Sequence, residues 1–226
     1  MTTLRAVLFD MDGTLTDSEK LWTVALDRVA AELGGQLSVR TRQAMVGHNL
    51  IESIQMLLDD LGSDHPPVAT GRLLTRYTAE LFAGPMPWRP GARELLQAVR
   101  DAGLKTALVT ATERTLVDLA LNTLGHRTFD AVVPGDEVAR NKPDPLPYLR
   151  AMELLDVPPG DCIAIEDSPN GSLSASRAGV PVLVAPSEVE VPVGAGLTIV
   201  DSLVGVTVQQ LADLVGRHRG AVTESR

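Results

Sequence analysis

The sequence predicts an α/β fold: a mostly parallel sheet covered by helices, with an all-helical segment inserted after the first strand. Three observations predict it. Short apolar runs alternate with helical patterns along most of the chain. One long stretch interrupts that alternation with helical patterns alone, and acids, a hydroxyl and a lysine recur where the apolar runs end.

The apolar runs are Ala6–Phe9, Lys105–Val109, Ala131–Val133, Cys162–Ile165 and Val182–Val184. They are continuous rather than alternating, which is the pattern of strands buried on both faces. Helical patterns fill the intervals at Gly91–Asp101, Thr112–Leu124, Pro145–Leu155 and Pro169–Ala178. A last helix is expected at Val208–His218, followed by a polar tail. Such alternation implies right-handed crossovers and parallel strands.

From Asp17 to about Pro85 no strand pattern occurs. Helical spacing runs through Leu21, Trp22, Ala25, Val29 and Leu33, then Leu50, Ile51, Ile54, Leu58 and Leu61, then Leu74, Tyr77 and Leu81. Asn49 and Glu52 fit a capping box at the start of the middle helix. Gly84-Pro85-Met86-Pro87 marks the return to the sheet. The expected division is a core of residues 1–16 and 86–226 with a helical cap over 17–85, joined by two connectors. That is the organisation of a lid.

Composition narrows the function. The 226 residues are 44% hydrophobic and 22% charged, as expected of a globular protein, and only 3% aromatic, so Leu, Val and Ala must build the core. A net charge of −9 argues against a broad grip on nucleic acid or anionic lipid. A local site holding a metal ion can still take a small anion. Cys162 is the single cysteine, which rules out an intramolecular disulfide, and its CIAI setting reads as a buried strand thiol. No segment approaches the roughly 20 apolar residues needed to span a bilayer. The first residues lack an apolar region with a cleavage site, so Asn170-Gly171-Ser172 reads as a chance glycosylation match. The expectation is a cytoplasmic protein, monomeric or weakly dimeric.

In open parallel sheets, ligands bind beyond the carboxyl ends of the strands. The first run ends at Asp10, with Asp12 and Gly13 behind it; the second ends at Thr110; the CIAI run ends at Glu166-Asp167. The loop after Val133 reaches Lys142 in Arg140-Asn141-Lys142-Pro143. Each residue also has an ordinary reading. Asp12-Gly13 suits a hairpin turn, but no partner strand follows, and Leu15 stands where a calcium loop needs Gly. Thr112 reads as a cap of the following helix, and Ser168-Pro169 as N-cap and first helical residue. Their joint occurrence at successive strand ends favours one site. Two carboxylates about 4 Å apart repel by roughly 4 kcal/mol at an effective dielectric of 20. Four crowded acids therefore call for a compensating cation or raised pKa values, and oxygen-only ligands favour Mg²⁺ as the cation. A lysine opposite that ion completes an anion site, most naturally one for phosphate.

With these motifs the chain resembles a haloacid dehalogenase superfamily hydrolase, in the branch with a helical cap after the first strand. The aspartate motif stands as Asp10-Met11-Asp12-Gly13-Thr14, the hydroxyl motif as Thr110, the lysine motif as Lys142-Pro143 and the acidic motif as Glu166-Asp167. The resemblance covers nearly the whole chain and implies a Rossmann-like core with an inserted cap. It further implies that Asp10 attacks phosphorus and that Asp12 protonates the leaving alcohol, then deprotonates the attacking water. By the same resemblance, Mg²⁺ is held by Asp10, the Asp12 carbonyl and Asp167, with Glu166 as ligand or support. Thr110, the Ala111 amide and Lys142 hold the phosphoryl oxygens.

Within the family, the second acid speaks for phosphoester chemistry, since halide release needs no proton. Lys20, Lys105 and Lys142 are the only lysines, and Lys20 is a poor Schiff-base candidate for phosphonate cleavage. A β-phosphoglucomutase-like mutase is the alternative. The similar mutases carry Lys and Arg around a cap-loop Gly, where this chain has Met45-Val46-Gly47-His48-Asn49-Leu50. Glu113 follows Thr112 where those mutases have a lysine, and Trp22 replaces their cap histidine. Arg40, Arg42 and Arg114 read as solvated helix faces. Trp22, His48 and Asn49 are expected at the leaving group, with Trp22 also suited to the cap core. A non-catalytic phosphate-binding module is a further alternative, disfavoured by the intact Asp10/Asp12 pair. The expected activity is Mg²⁺-dependent hydrolysis of small phosphate monoesters, sugar phosphates first.

Overall fold

The computed structural model describes residues 4–194 and 196–224, with side chains described to Gly220. Six parallel strands form one sheet in the order β3-β2-β1-β4-β5-β6. They are β1 (Ala6–Phe9), β2 (Lys105–Val109), β3 (Ala131–Val133), β4 (Cys162–Glu166), β5 (Val182–Val184) and β6 (Leu197–Ile199). Ala6 pairs with Lys105 on one side and Cys162 on the other, so β1 is central. The chain leaves β1 toward β2 and later returns to the far side through β4. That reversal opens a crevice beyond the carboxyl end of β1.

Alternate strand residues point to opposite faces, and each face has its own core. Val7, Phe9, Leu108, Ile163 and Ile165 pack beneath α5 (Ala92–Asp101), α6 (Arg114–Leu124) and α9 (Val208–Glu224). Ala6, Leu8, Ala107, Val109 and Ala164 pack beneath α7 (Leu146–Leu155) and α8 (Pro169–Arg177). This is why the strands read as unbroken apolar runs.

Four helices lie between β1 and α5: α1 (Glu19–Glu32), α2 (Val39–Met45), α3 (Leu50–Leu61) and α4 (Pro67–Phe82). They bury a cluster of their own around Ala25, Val29, Ile54, Leu57 and Leu74. The capping box of α3 is present in both directions: Glu52 N–H donates to Asn49 at 3.1 Å, and Asn49 N–H to the Glu52 carboxylate at 3.4 Å. The segments flanking the four helices pair with each other. Asp17 N–H donates to Pro87 O at 2.8 Å and Arg89 N–H to Leu15 O at 2.9 Å.

Four details depart from the sequence expectation. β6 carries only three partly exposed residues at the sheet edge, too few for a pattern. α2 buries Met45 alone and so lacks an apolar stripe. α6 begins at Arg114, whose N–H donates to Asp136 at 2.8 Å, and Glu113 rather than Thr112 occupies its N-cap position. The expected polar tail is instead helical, α9 running on to Glu224. Among the described residues, no helix is long and apolar enough to cross a membrane.

Candidate active site

Asp10 follows β1 and is buried, because β1 is central and its end lies beneath the neighbouring loops. The loop after β3 brings Lys142 alongside. Its ammonium donates to Asp10 Oδ1 at 2.7 Å, Glu166 Oε1 at 2.7 Å and Val109 O at 2.9 Å, which uses all three protons. Burial alone would lower the Lys142 pKa, but the carboxylates of Asp10 and Glu166 outweigh it and hold it above the usual range. Tyr148, on α7, donates its hydroxyl to Glu166 Oε1 at 2.5 Å. Burial and the Glu166 charge keep that phenol protonated.

Of three clustered buried acids, Asp10 and Glu166 pair with the one ammonium and Asp167 does not. Burial pushes the Asp10 carboxyl up to about 7, against the partial opposition of Lys142. Burial, followed by the charge of Asp10, raises Asp167 well above the usual carboxylate range. Carboxylate oxygens of Asp10, Glu166 and Asp167 lie within 4.8 Å of one another. Asp10 Oδ2 is buried without a hydrogen-bond partner. Clustered hard oxygens, surplus negative charge and an unpartnered carboxylate oxygen fit a divalent oxygen-seeking cation. Ser187, after β5, donates to Asp167.

Asp12 is surrounded differently. Its Oδ1 accepts from Ser18 Oγ at 2.6 Å and Trp22 Nε1 at 3.1 Å; its Oδ2 accepts from Thr112 Oγ1 at 2.7 Å and Thr110 Oγ1 at 3.3 Å. Gly13 makes this turn possible. Its φ is +78°, and a Cβ there would stand 2.0 Å from Asp167 Oδ2, so only glycine lets the aspartate loop close on the acidic loop.

A cavity of about 340 Å³ opens over these groups and runs between the sheet and α1–α4. Asp10, Asp12, Thr110, Ala111, Lys142 and Asp167 meet it. So do Trp22 and His48 from the helical side. Trp22 packs edge-on against Phe82 with centroids 5.9 Å apart, so it is part of the packing between α1 and α4 and also a donor to Asp12. The Gly47 loop reaches the loop after β4. Asn170 Nδ2 donates to Gly47 O at 3.3 Å and lies 3.4 Å from His48 Nδ1. Asn49 is not among the cavity residues, since its side chain is turned to its own helix as N-cap.

Of the arginines, Arg40 is exposed, and Arg114 pairs with Glu137 through contacts of 2.6 and 2.8 Å. Arg42 meets the cavity but pairs with Asp27. Sequence reasoning missed Ser18, Glu19, Tyr148 and Ser187, and read Thr112 as a cap. Ser187 follows the end of β5, a strand end that the sequence reading did not follow up. Tyr148 lies in an apolar helical stripe and carries no such signal.

Fold and site together define an α/β enzyme built on a buried carboxylate–lysine cluster. Residues 7–185 match the family described as haloacid dehalogenase-like hydrolase, and the chain belongs to it. It is 33% identical over 198 residues to the protein CbbY of Rhodobacter capsulatus, covering 82% of this chain and 86% of that one. It is 32% identical over 178 residues to a phosphorylated carbohydrates phosphatase of Thermotoga maritima, covering 78% and 82%. The solved structure of CbbY from Rhodobacter sphaeroides in complex with phosphate superposes with a TM-score of 0.81 at 31% identity, covering 89% of this chain and 96% of that one. A variant of that protein, in complex with xylulose-(1,5)-bisphosphate, superposes with the same TM-score at 30% identity and the same coverage.

Proposed function

We propose that this enzyme hydrolyses small phosphate monoesters, sugar phosphates among them, through a phosphoryl group carried on Asp10. The observation that carries the proposal is the pairing of two unlike acids at one strand end. Asp10 is buried, fixed through Oδ1 by Lys142 and unpartnered at Oδ2. Asp12 meets the cavity from a ring of hydroxyl and indole donors. A nucleophile and a proton carrier need these separate surroundings. Relatives named as a carbohydrate phosphatase and as a protein crystallised with phosphate support the substrate class.

In this reading an Asp10 carboxylate oxygen bonds to phosphorus as the bond to the leaving oxygen breaks, and Asp12 gives that oxygen its proton. Asp12 then takes a proton from the water that cleaves the Asp10 acyl phosphate. Lys142 holds the Asp10 carboxylate in place and sets its positive charge beside the phosphoryl oxygens, which Thr110 and the Ala111 amide orient. Asp10, Asp167 and the Asp12 carbonyl would hold Mg²⁺, with Glu166 as part of the same acidic set. When bound, the ion supplies positive charge to the phosphoryl oxygens and offsets the crowded acids. Residues 17–85 act as a cap over a core of 1–16 and 86–226, with Trp22 and His48 facing the leaving group.

The test is phosphate release from β-glucose 1-phosphate with Mg²⁺ and a trace of glucose 1,6-bisphosphate. Free phosphate is expected as the main product. Glucose 6-phosphate accumulating much faster than phosphate would instead make the protein a mutase. No turnover of any phosphate ester would leave a phosphate-binding module.

A further inference from the structure

The loop after β5 supplies none of the clustered acids, yet two other loops of the site close on it. Pairing with β4 runs one residue past β5, Ala185 N–H donating to Glu166 O at 2.8 Å, so the chain that follows lies beside Asp167. Arg89 ties the aspartate loop to the same turn: its N–H donates to Leu15 O at 2.9 Å and its Nη2 to Pro186 O at 3.5 Å. Ser187, next in sequence, turns its hydroxyl to Asp167 Oδ2. A Cβ on Gly13 would stand 2.8 Å from that hydroxyl oxygen and 2.0 Å from that carboxylate oxygen, so the three loops meet with no room between them.

The three buried acids are held in unlike ways. Asp10 and Glu166 share the Lys142 ammonium, and Glu166 also accepts from Tyr148. Asp167 is buried as well, but Ser187 is the one donor to its side chain among the described residues. The terminal torsion of an aspartate is broad, so an unrestrained carboxylate can point its oxygens in many directions. A hydroxyl fixed on one oxygen narrows that choice. It does so without charge, whereas a lysine or arginine in that place would neutralise the carboxylate and compete with a cation. Granted the reading above in which these acids hold Mg²⁺, we infer that Ser187 is a positioning residue for the ion. By holding Asp167 Oδ2 it sets the direction in which Asp167 meets the cluster that contains the unpartnered Oδ2 of Asp10. The loop after β5 thus tunes metal affinity without supplying one of the acids.

The test is calorimetric titration of Mg²⁺ alone into the metal-free full chain, beside the Mg²⁺ dependence of phosphate release. Removing the hydrogen-bond partner of a metal ligand costs about 10- to 100-fold in affinity. Ser187→Ala should raise both the Mg²⁺ Kd and the Mg²⁺ concentration for half-maximal rate by about tenfold or more. Added Mg²⁺ should recover most of the lost rate, because the change acts through the ion. Ser187→Thr keeps the hydroxyl and should restore most of the affinity. An unchanged Mg²⁺ Kd in folded Ser187→Ala overturns the inference and leaves the metal reading intact. If the natural protein binds no Mg²⁺ and turns over without it, the metal reading falls and this inference with it. Should Ser187→Ala not fold, Ser187→Cys decides, since it leaves a weaker donor in the same place. Its Kd should rise, and an unchanged value overturns the inference.

Discussion

Asp10 and Asp12 lie one residue apart, yet the first is buried against Lys142 and the second is ringed by four donors. Asp10→Asn is therefore expected to remove nearly all turnover, by a factor on the order of 10³ or more, since an amide cannot act as the nucleophile. Circular dichroism should be unchanged, and residual kcat within tenfold of the natural protein would falsify the assignment. Four donors surround the Asp12 carboxylate, three of them hydroxyls that can turn when it carries a proton. Trp22 supplies one donor, from the helical side. Trp22→Phe keeps an aromatic ring against Phe82 and deletes the N–H; kcat should fall about tenfold while KM moves less, because the lost contact orients the proton carrier. A change confined to KM would mean that Trp22 touches the substrate instead. The acids were legible in the sequence because strand ends expose them in order. The donors around Asp12 were not: Ser18, Trp22 and Thr112 converge only once α1 docks over the sheet. Tyr148 was equally hidden, its hydroxyl reaching Glu166 from the middle of an apolar helix face.

At the level of elements, legibility followed burial. Strands covered on both faces announce themselves as unbroken apolar runs, so β1, β2, β3 and β5 lie where the pattern put them. β6 lies at the sheet edge, and α2 turns one buried residue inward, so neither leaves a periodic trace. Capping is the local exception, because it depends on adjacent residues alone, and Asn49 with Glu52 was readable. Asn49→Ala should cost about 1 kcal/mol and lower the melting temperature by a few degrees. The Gly47 loop makes a different demand. Gly47 has φ of +73°, and a Cβ there would lie 2.9 Å from Ser168 Cβ and Oγ. Gly47→Ala should push this loop off the loop that follows β4 and lower kcat/KM about tenfold, through the cavity wall rather than through the chemistry. Unchanged kcat/KM in a stably folded Gly47→Ala would show that the contact is dispensable.

At the scale of the whole molecule, crowded acids tie folding to pH and to metal. In the protein without metal, Asp10 titrates near 7 rather than 3.8, and Glu19 near 8 rather than 4.5. Between the lower and upper values the folded chain holds protons that the unfolded chain has already lost. Stability from these groups therefore falls as pH rises through that window, and the full penalty stands above about 8. A cation among the acids pairs with their ionised forms and removes much of that penalty, so its stabilising effect grows with pH. The measurement is the melting temperature in chelator and in saturating Mg²⁺, at about pH 5.5 and about pH 8, inside the window set by the two raised carboxyls. In chelator the protein should melt lower at the higher pH. Added Mg²⁺ should raise the melting temperature at both values, and by more at the higher one. Equal shifts, or a larger shift at the lower pH, would mean that the ion does not bind among Asp10, Glu166 and Asp167, and that the buried acids are neutralised by protons alone.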